Sequence, residues 1–202
     1  MQMINYKNVI ISIFFLAYFI VGSYLSLTNG ISHDQLHEQL NWSINFQAIK
    51  NFFIDNNGYQ SLQNYIDRYH GIGFHFFSQP FQFLLNDFVQ EINLVNEKGA
   101  IYISRHFPTF LIFYISGYFF YLICLKISNS FNFSIVSLLI FFLYPYLFGH
   151  SQINGKDIPF LSVWIIATYF LFNILEKLYL EKKITFSEII LIAFLTGFLT
   201  SI

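Results

Sequence analysis

Five apolar runs, 9–28, 107–125, 133–149, 158–175 and 186–202, divide the chain. Each approaches the ~20 residues a helix needs to cross about 30 Å of hydrocarbon, so the pattern predicts an all-α integral membrane fold with about five transmembrane helices. The first run is longer than the roughly 7–15 apolar residues of a signal-peptide core, and no A-x-A-like cleavage site follows it, which predicts a retained helix. The last run ends without a polar flank, and the chain is therefore expected to be the N-terminal part of a longer protein. Between the first two runs lies 29–106, too long for a simple connector. Leu36, Leu40, Ile44, Phe46, Ile49, Phe52 and Phe53 recur there at helical intervals, predicting an amphipathic helix on the membrane surface. Asn56-Asn57-Gly58 then signals a turn. The aromatic stretch 73–85 predicts a second interfacial helix that starts or kinks at Pro80.

Composition agrees with a bilayer as solvent. Apolar residues make up 55% of the chain and charged residues only 10%, with 28 Phe, against about 25% charged in soluble domains. Lys7, Lys126, Lys177, Lys182 and Lys183 flank alternate ends of the runs, which predicts a cytoplasmic N-terminus and places 29–106 and the 149–157 loop outside. A net charge of -1 without a basic cluster gives no electrostatic footprint for nucleic acid. The single Cys124 supports neither a disulfide framework nor a thiolate metal site.

Candidate chemistry gathers in three places, all on the outer side under that topology. The first is His33-Asp34-Gln35-Leu36-His37-Glu38, just after the first run. On a helix, His33 and His37 share a face, as do Asp34 and Glu38, with Ser32 or Asp34 available as cap. Asp34 is the candidate general base, and His37 and Glu38 are placed to orient it or to hold an acceptor. The second comprises Tyr69 and His70 together with Arg105 and His106, where the second run re-enters the membrane; a guanidinium there suits either phosphate or lipid headgroups. The third is the loop 148–160, FGHSQINGKDIPF. Its His150, Asn154, Lys156 and Asp157 offer a point charge for phosphate and a carboxylate beside it, and ionisable groups at a membrane edge are functional candidates because they are costly to desolvate.

These residues carry a resemblance. The Asp-centred motif after the first run, the Arg-His pair at the second, and Pro145, Gly149, His150, Ser151, Asn154, Lys156, Asp157, Ile158, Pro159 and Phe160 resemble the N-terminal half of polyprenyl-phosphate-dependent glycosyltransferases of the GT-C type. More narrowly, the loop is similar to that of bacterial members of the protein mannosyltransferase-like superfamily, where it often reads GHSFNNPKDIPF. The resemblance implies that 1–202 is the N-terminal part of one GT-C-like transmembrane domain in a bacterial inner membrane. It implies an inverting, hexosyltransferase-like enzyme that moves a sugar from a polyprenyl-phosphate donor to an acceptor at the outer face. It also implies that Asp34 is the catalytic base and that basic residues hold the leaving phosphate. Two positions depart from the family pattern: Gln35 replaces the second acid of an Asp-Glu pair, and Gly155 stands where Pro is frequent.

Two other readings are open on the residues alone. His33-Asp34-x-x-His37 fits the H-[DE]-x-x-H spacing of zinc hydrolases, although a third ligand is not indicated. Polar groups near a membrane also mark the paths of transporters or the contacts of assembly subunits, and such groups usually sit at the midplane. A divalent cation on Asp34, Glu38 and Asp157 is compatible with transfer chemistry, but no metal set is specified.

Overall fold

The computed structural model describes residues 6–55 and 60–202. The described residues form ten helices and no strand: α1 Tyr6–Thr28, α2 His33–Asp55, α3 Gln60–Gln63, α4 Gly73–Asn93, α5 Glu97–Ile103, α6 His106–Ser128, α7 Phe131–Leu143, α8 Pro145–Ser151, α9 Asp157–Tyr179 and α10 Phe186–Ser201. The turn expected at Asn56, Asn57 and Gly58 lies outside them.

Of the five expected spans, α1, α6 and α9 are long and apolar enough to cross a membrane. The third run is not one helix. Pro145 disfavours helical backbone at the residue before it, and Tyr144 is extended (φ −61°, ψ 118°). The run therefore breaks into α7 and α8, bent by 61°, and counts as a fourth span only if the pair is taken together. Pro145 occupies the first turn of α8, where its missing N–H costs nothing. The fifth run, α10, has 16 residues, short of the ~20 of a full crossing.

α6 runs through the centre and packs against α1, α7 and α9. The seam is aromatic: Tyr18 stacks on Phe142 at 4.0 Å and Phe113 on Phe141 at 4.9 Å, and Phe110, Phe113 and Phe142 are fully buried. Small residues admit the rings, as is usual where membrane helices approach closely. A Cβ on Gly22 would lie 2.1 Å from the Phe110 ring, and one on Gly117 would lie 2.0 Å from Phe142. Between α6 and α7, Asn129 takes the left-handed conformation (φ 50°) that ends a helix. Ser130 then caps α7 by accepting from the Phe133 amide.

Hydrogen bonds identify the two ends of this bundle. Lys126 bonds Asn173 at 2.6 Å, Lys177 meets Glu188 at 2.5 Å, and Lys7 lies over the Phe131 ring. This joins the start of α1, the end of α6, the start of α7, the end of α9 and the start of α10. The opposite end holds the end of α1, the starts of α6 and α9, and the helices α2, α4 and α5. There α2 and α4 turn polar residues inward and apolar ones outward: Gln35, Asn41, Asn45, His75, Ser78 and Gln82 are buried, whereas Leu36, Leu40, Phe53, Phe83 and Leu84 are exposed. The expected kink does not divide α4, which passes through Pro80 and runs to Asn93. Trp42 joins the two helices by stacking on His75 and meeting Phe76 edge-on.

Candidate functional site

At the end of the bundle that carries α2, a recess of about 600 Å³ is lined by His33, Asp34, His37 and Glu38 from α2, His70 from the 64–72 turn, and Asn154, Lys156 and Asp157 from the start of α9. The α9 wall is shaped by Asn154. Its side-chain oxygen accepts from the backbone N–H groups of Lys156 (3.1 Å) and Asp157 (2.8 Å), an Asx turn that begins the helix. Its amide nitrogen donates to the Asp157 carboxylate and to Nδ1 of His150, both at 3.1 Å. The Lys156 ammonium donates to Nδ1 of His70 at 3.5 Å. Burial, followed by the Lys156 charge, pushes the His70 imidazole below its ordinary range, in keeping with a neutral acceptor. His37 closes the other side against Asp67, Nε2 to Oδ2 2.9 Å.

Beneath the recess, one carboxamide ties the walls together. Gln35 is the third helical residue after Ser32, and its Oε1 accepts from the Ser32 amide at 3.1 Å, half of a capping box. Its nitrogen donates to the Ile153 carbonyl at 3.0 Å and faces Nε2 of His106 at 2.5 Å. The other ring nitrogen of His106 lies 3.2 Å from the Ser26 carbonyl. A carbonyl only accepts, so Nδ1 carries the proton and Nε2 accepts from Gln35. This explains the Gln at a position where the resemblance leads one to expect an acid: a carboxylate has no N–H for either Ile153 or a neutral His106.

Glu38 faces two spaces. It lines the open recess and also a small, narrower cavity of about 20 Å³, shared with His75, Arg105, Thr109 and Gly155, a volume that fits one water. Arg105 turns Nε and Nη2 toward this buried region without a protein partner, as does Nδ1 of His75. Burial drives the Glu38 carboxyl up to about 7, with Arg105 pulling the other way. Burial likewise drives His75 down to about 3, with the Arg105 charge adding to the effect. Glu38 approaches the α8–α9 loop so closely that a Cβ on Gly155 would lie 3.3 Å from its Oε2. The glycine thus leaves room for this carboxylate.

Of the residues expected from sequence, Asp34, His37, Glu38, His70, Asn154, Lys156 and Asp157 share the recess. His150 stands behind it, linked through Asn154 and packed on Tyr146 at 4.2 Å. Arg105 lies under Glu38 rather than on the recess wall. His106, expected to contact substrate, is fully buried with both nitrogens engaged, and its role is to hold the framework. Tyr69 is 88% exposed, carries Arg68 over its ring and borders a neighbouring depression instead. Among the described residues no group of three or more His, Cys, Asp or Glu side chains is arranged to hold a metal ion; His37 is turned to Asp67. Sequence reasoning missed Asp67 and His75, which no motif marks. It also missed the tie made by Gln35, which the Ser32-x-x-Gln35 spacing does signal. Comparison of the chain with protein-family models, curated proteins and solved structures finds no match.

Proposed function

We propose that this chain forms the catalytic end of a membrane glycosyltransferase that moves a sugar from a polyprenyl-phosphate donor to an acceptor hydroxyl, with the recess on the outer side of a bacterial plasma membrane. The observation that carries the reading is the meeting of Asp34 and Glu38 with Asn154, Lys156 and Asp157, more than a hundred residues away, around one recess. Leu36 and Leu40 of α2, both exposed, line that recess, suited to a lipid-borne donor reaching it from the bilayer. The residue pattern quoted above supplies the reaction class.

In this reading Asp34 takes the proton of the acceptor hydroxyl as that oxygen bonds to the anomeric carbon. The bond from that carbon to the phosphate oxygen breaks with inversion, and its electron pair leaves on the polyprenyl phosphate. Lys156 provides a compact positive charge for the leaving phosphate, Asn154 holds the lysine's backbone with Asp157 accepting from the Asn154 amide, and Arg105 acts from beneath through Glu38. A transport role draws less support, because the polar side chains collect at one end of the bundle rather than at its middle.

The test is transfer by the purified protein from a panel of polyprenyl-phosphate sugars, with and without chelator. Transfer by the parent and its loss in Asp34→Asn, with membrane insertion intact, is the expected result. No transfer from any donor would overturn the reading, and full activity in Asp34→Asn would remove that residue from the mechanism.

A further inference from the structure

We infer that Gln35 is a positioning residue for the transfer proposed above: its carboxamide fixes the first turn of α2, which carries Asp34, against the loop that presents Lys156 and Asp157. This inference rests on that reading for its chemistry, but its geometry is independent of it. Among the described residues, the bond from Gln35 to the Ile153 carbonyl is the one hydrogen bond that joins α2 to the 152–156 loop. Ile153 adjoins Asn154, whose Asx turn sets the backbone of Lys156 and Asp157. Gln35 adjoins Asp34. The direct hydrogen bond between the two walls of the recess is therefore made by a single side chain, itself 7% exposed, while the His37–Asp67 and Lys156–His70 pairs join them only by way of the 64–72 turn.

The same side chain is anchored from behind. Its second hydrogen goes to His106, whose ring reaches on to the Ser26 carbonyl at the end of α1. Its oxygen is occupied by the Ser32 amide. All three hydrogen-bonding capacities used here, two donors and one acceptor, belong to a carboxamide and to no other side chain of that length. A glutamate has the same shape and lacks both donors. Loss of the tie frees the loop to move relative to α2, and a displacement of about 1 Å at a reacting centre is enough to cost on the order of 10²-fold in rate.

Three measurements test this. Nitrogen-15 NMR of the histidine-labelled protein, with His106 assigned by its loss in His106→Asn, is expected to show the Nδ1–H tautomer; an Nε2–H ring would overturn the latch without any change at Gln35. Spin labels at the exposed positions Ser43 and Phe160, in a background with Cys124→Ser, are expected to give one narrow distance that broadens in Gln35→Glu; an unchanged distribution would overturn the registration of the walls. In transfer assays, Gln35→Glu and Gln35→Ala are expected to lower kcat by about 10²-fold while leaving KM for the donor within about threefold. Parent-like kcat in Gln35→Glu, or loss through KM alone, would overturn the positioning role. An inactive parent would sink the transfer reading only, and the tautomer and the distance would still decide the latch.

Discussion

The carboxamide nitrogen of Gln35 lies 2.5 Å from Nε2 of His106, across 71 residues of sequence. The ring between them and the Ser26 carbonyl is wholly enclosed, so each partner depends on the other for satisfaction. Removing the ring strands a buried amide N–H and a buried carbonyl, and groups left in that state cost about 1–3 kcal/mol apiece. His106→Leu is expected to lose about 2–4 kcal/mol, seen as a fall in Tm of several degrees in detergent. A Tm equal to the parent's would mean that the ring contributes nothing to the joint.

Glu38 gives a pH dependence with a definite sign. Its carboxyl is driven from the ordinary 4.5 to about 7 in the fold, chiefly by burial. Between those values the folded protein keeps a proton that the unfolded chain has released. The associated stability is therefore fully present below about 4.5, falls as pH rises through the window, and is gone above about 7. Glu38→Gln mimics the protonated form at every pH. It is expected to match the parent near pH 4.5 and to exceed it by about 1–3 kcal/mol at pH 8, allowing for the partly solvated side of the carboxyl. Thermal unfolding at the two pH values checks this, and a variant less stable than the parent at pH 8 would show that Arg105 relies on the Glu38 charge.

Much of this architecture could be read from hydropathy, because α1, α6 and α9 are long and apolar enough to cross a membrane and leave large apolar side chains such as Leu16, Ile20, Ile115 and Trp164 exposed. What hydropathy missed was local. The third run looks continuous until the Tyr144-Pro145 step is treated as a backbone restriction, and that step turns α8, and His150 with it, out of line with α7. The three polar clusters were each visible as dense ionisable residues at run ends, and alternating helix direction brings them to one end. Their internal order was not visible. Nothing in the spacing distinguishes Lys156, exposed on the recess, from Arg105, half-buried beneath Glu38, and His37's partner Asp67 lies in a turn with no periodicity to locate it.

Gly117 tests the aromatic seam. A methyl group there would meet the ring of Phe142 at 2.0 Å, and that ring is also stacked on Tyr18 and flanked by Phe113, leaving it no free side to yield toward. Gly117→Ala is expected to destabilise by about 1–3 kcal/mol through overpacking, despite the better helix propensity of alanine. The paired change Gly117→Ala with Phe142→Leu is expected to recover part of the loss. A single variant as stable as the parent would show that the α6–α7 contact relaxes freely.

Asn154 decides how Lys156 is presented. Its oxygen takes the two backbone N–H groups that open α9, and its nitrogen reaches both Asp157 and His150. Alanine keeps none of these bonds, so the ammonium group loses its fixed base while its charge remains. The expected result for Asn154→Ala is a KM for the lipid-phosphate donor raised about tenfold, equivalent to about 1.4 kcal/mol, with a smaller change in kcat. Asn154→Asp retains the oxygen that accepts from the backbone and loses the donated bonds, placing a second carboxylate beside Asp157 and near the leaving phosphate; its KM should therefore rise further than that of Asn154→Ala. Donor titrations of the two variants separate the effects. If kcat fell in Asn154→Ala while KM stayed at the parent value, the turn would be serving the reacting centre rather than the hold on phosphate.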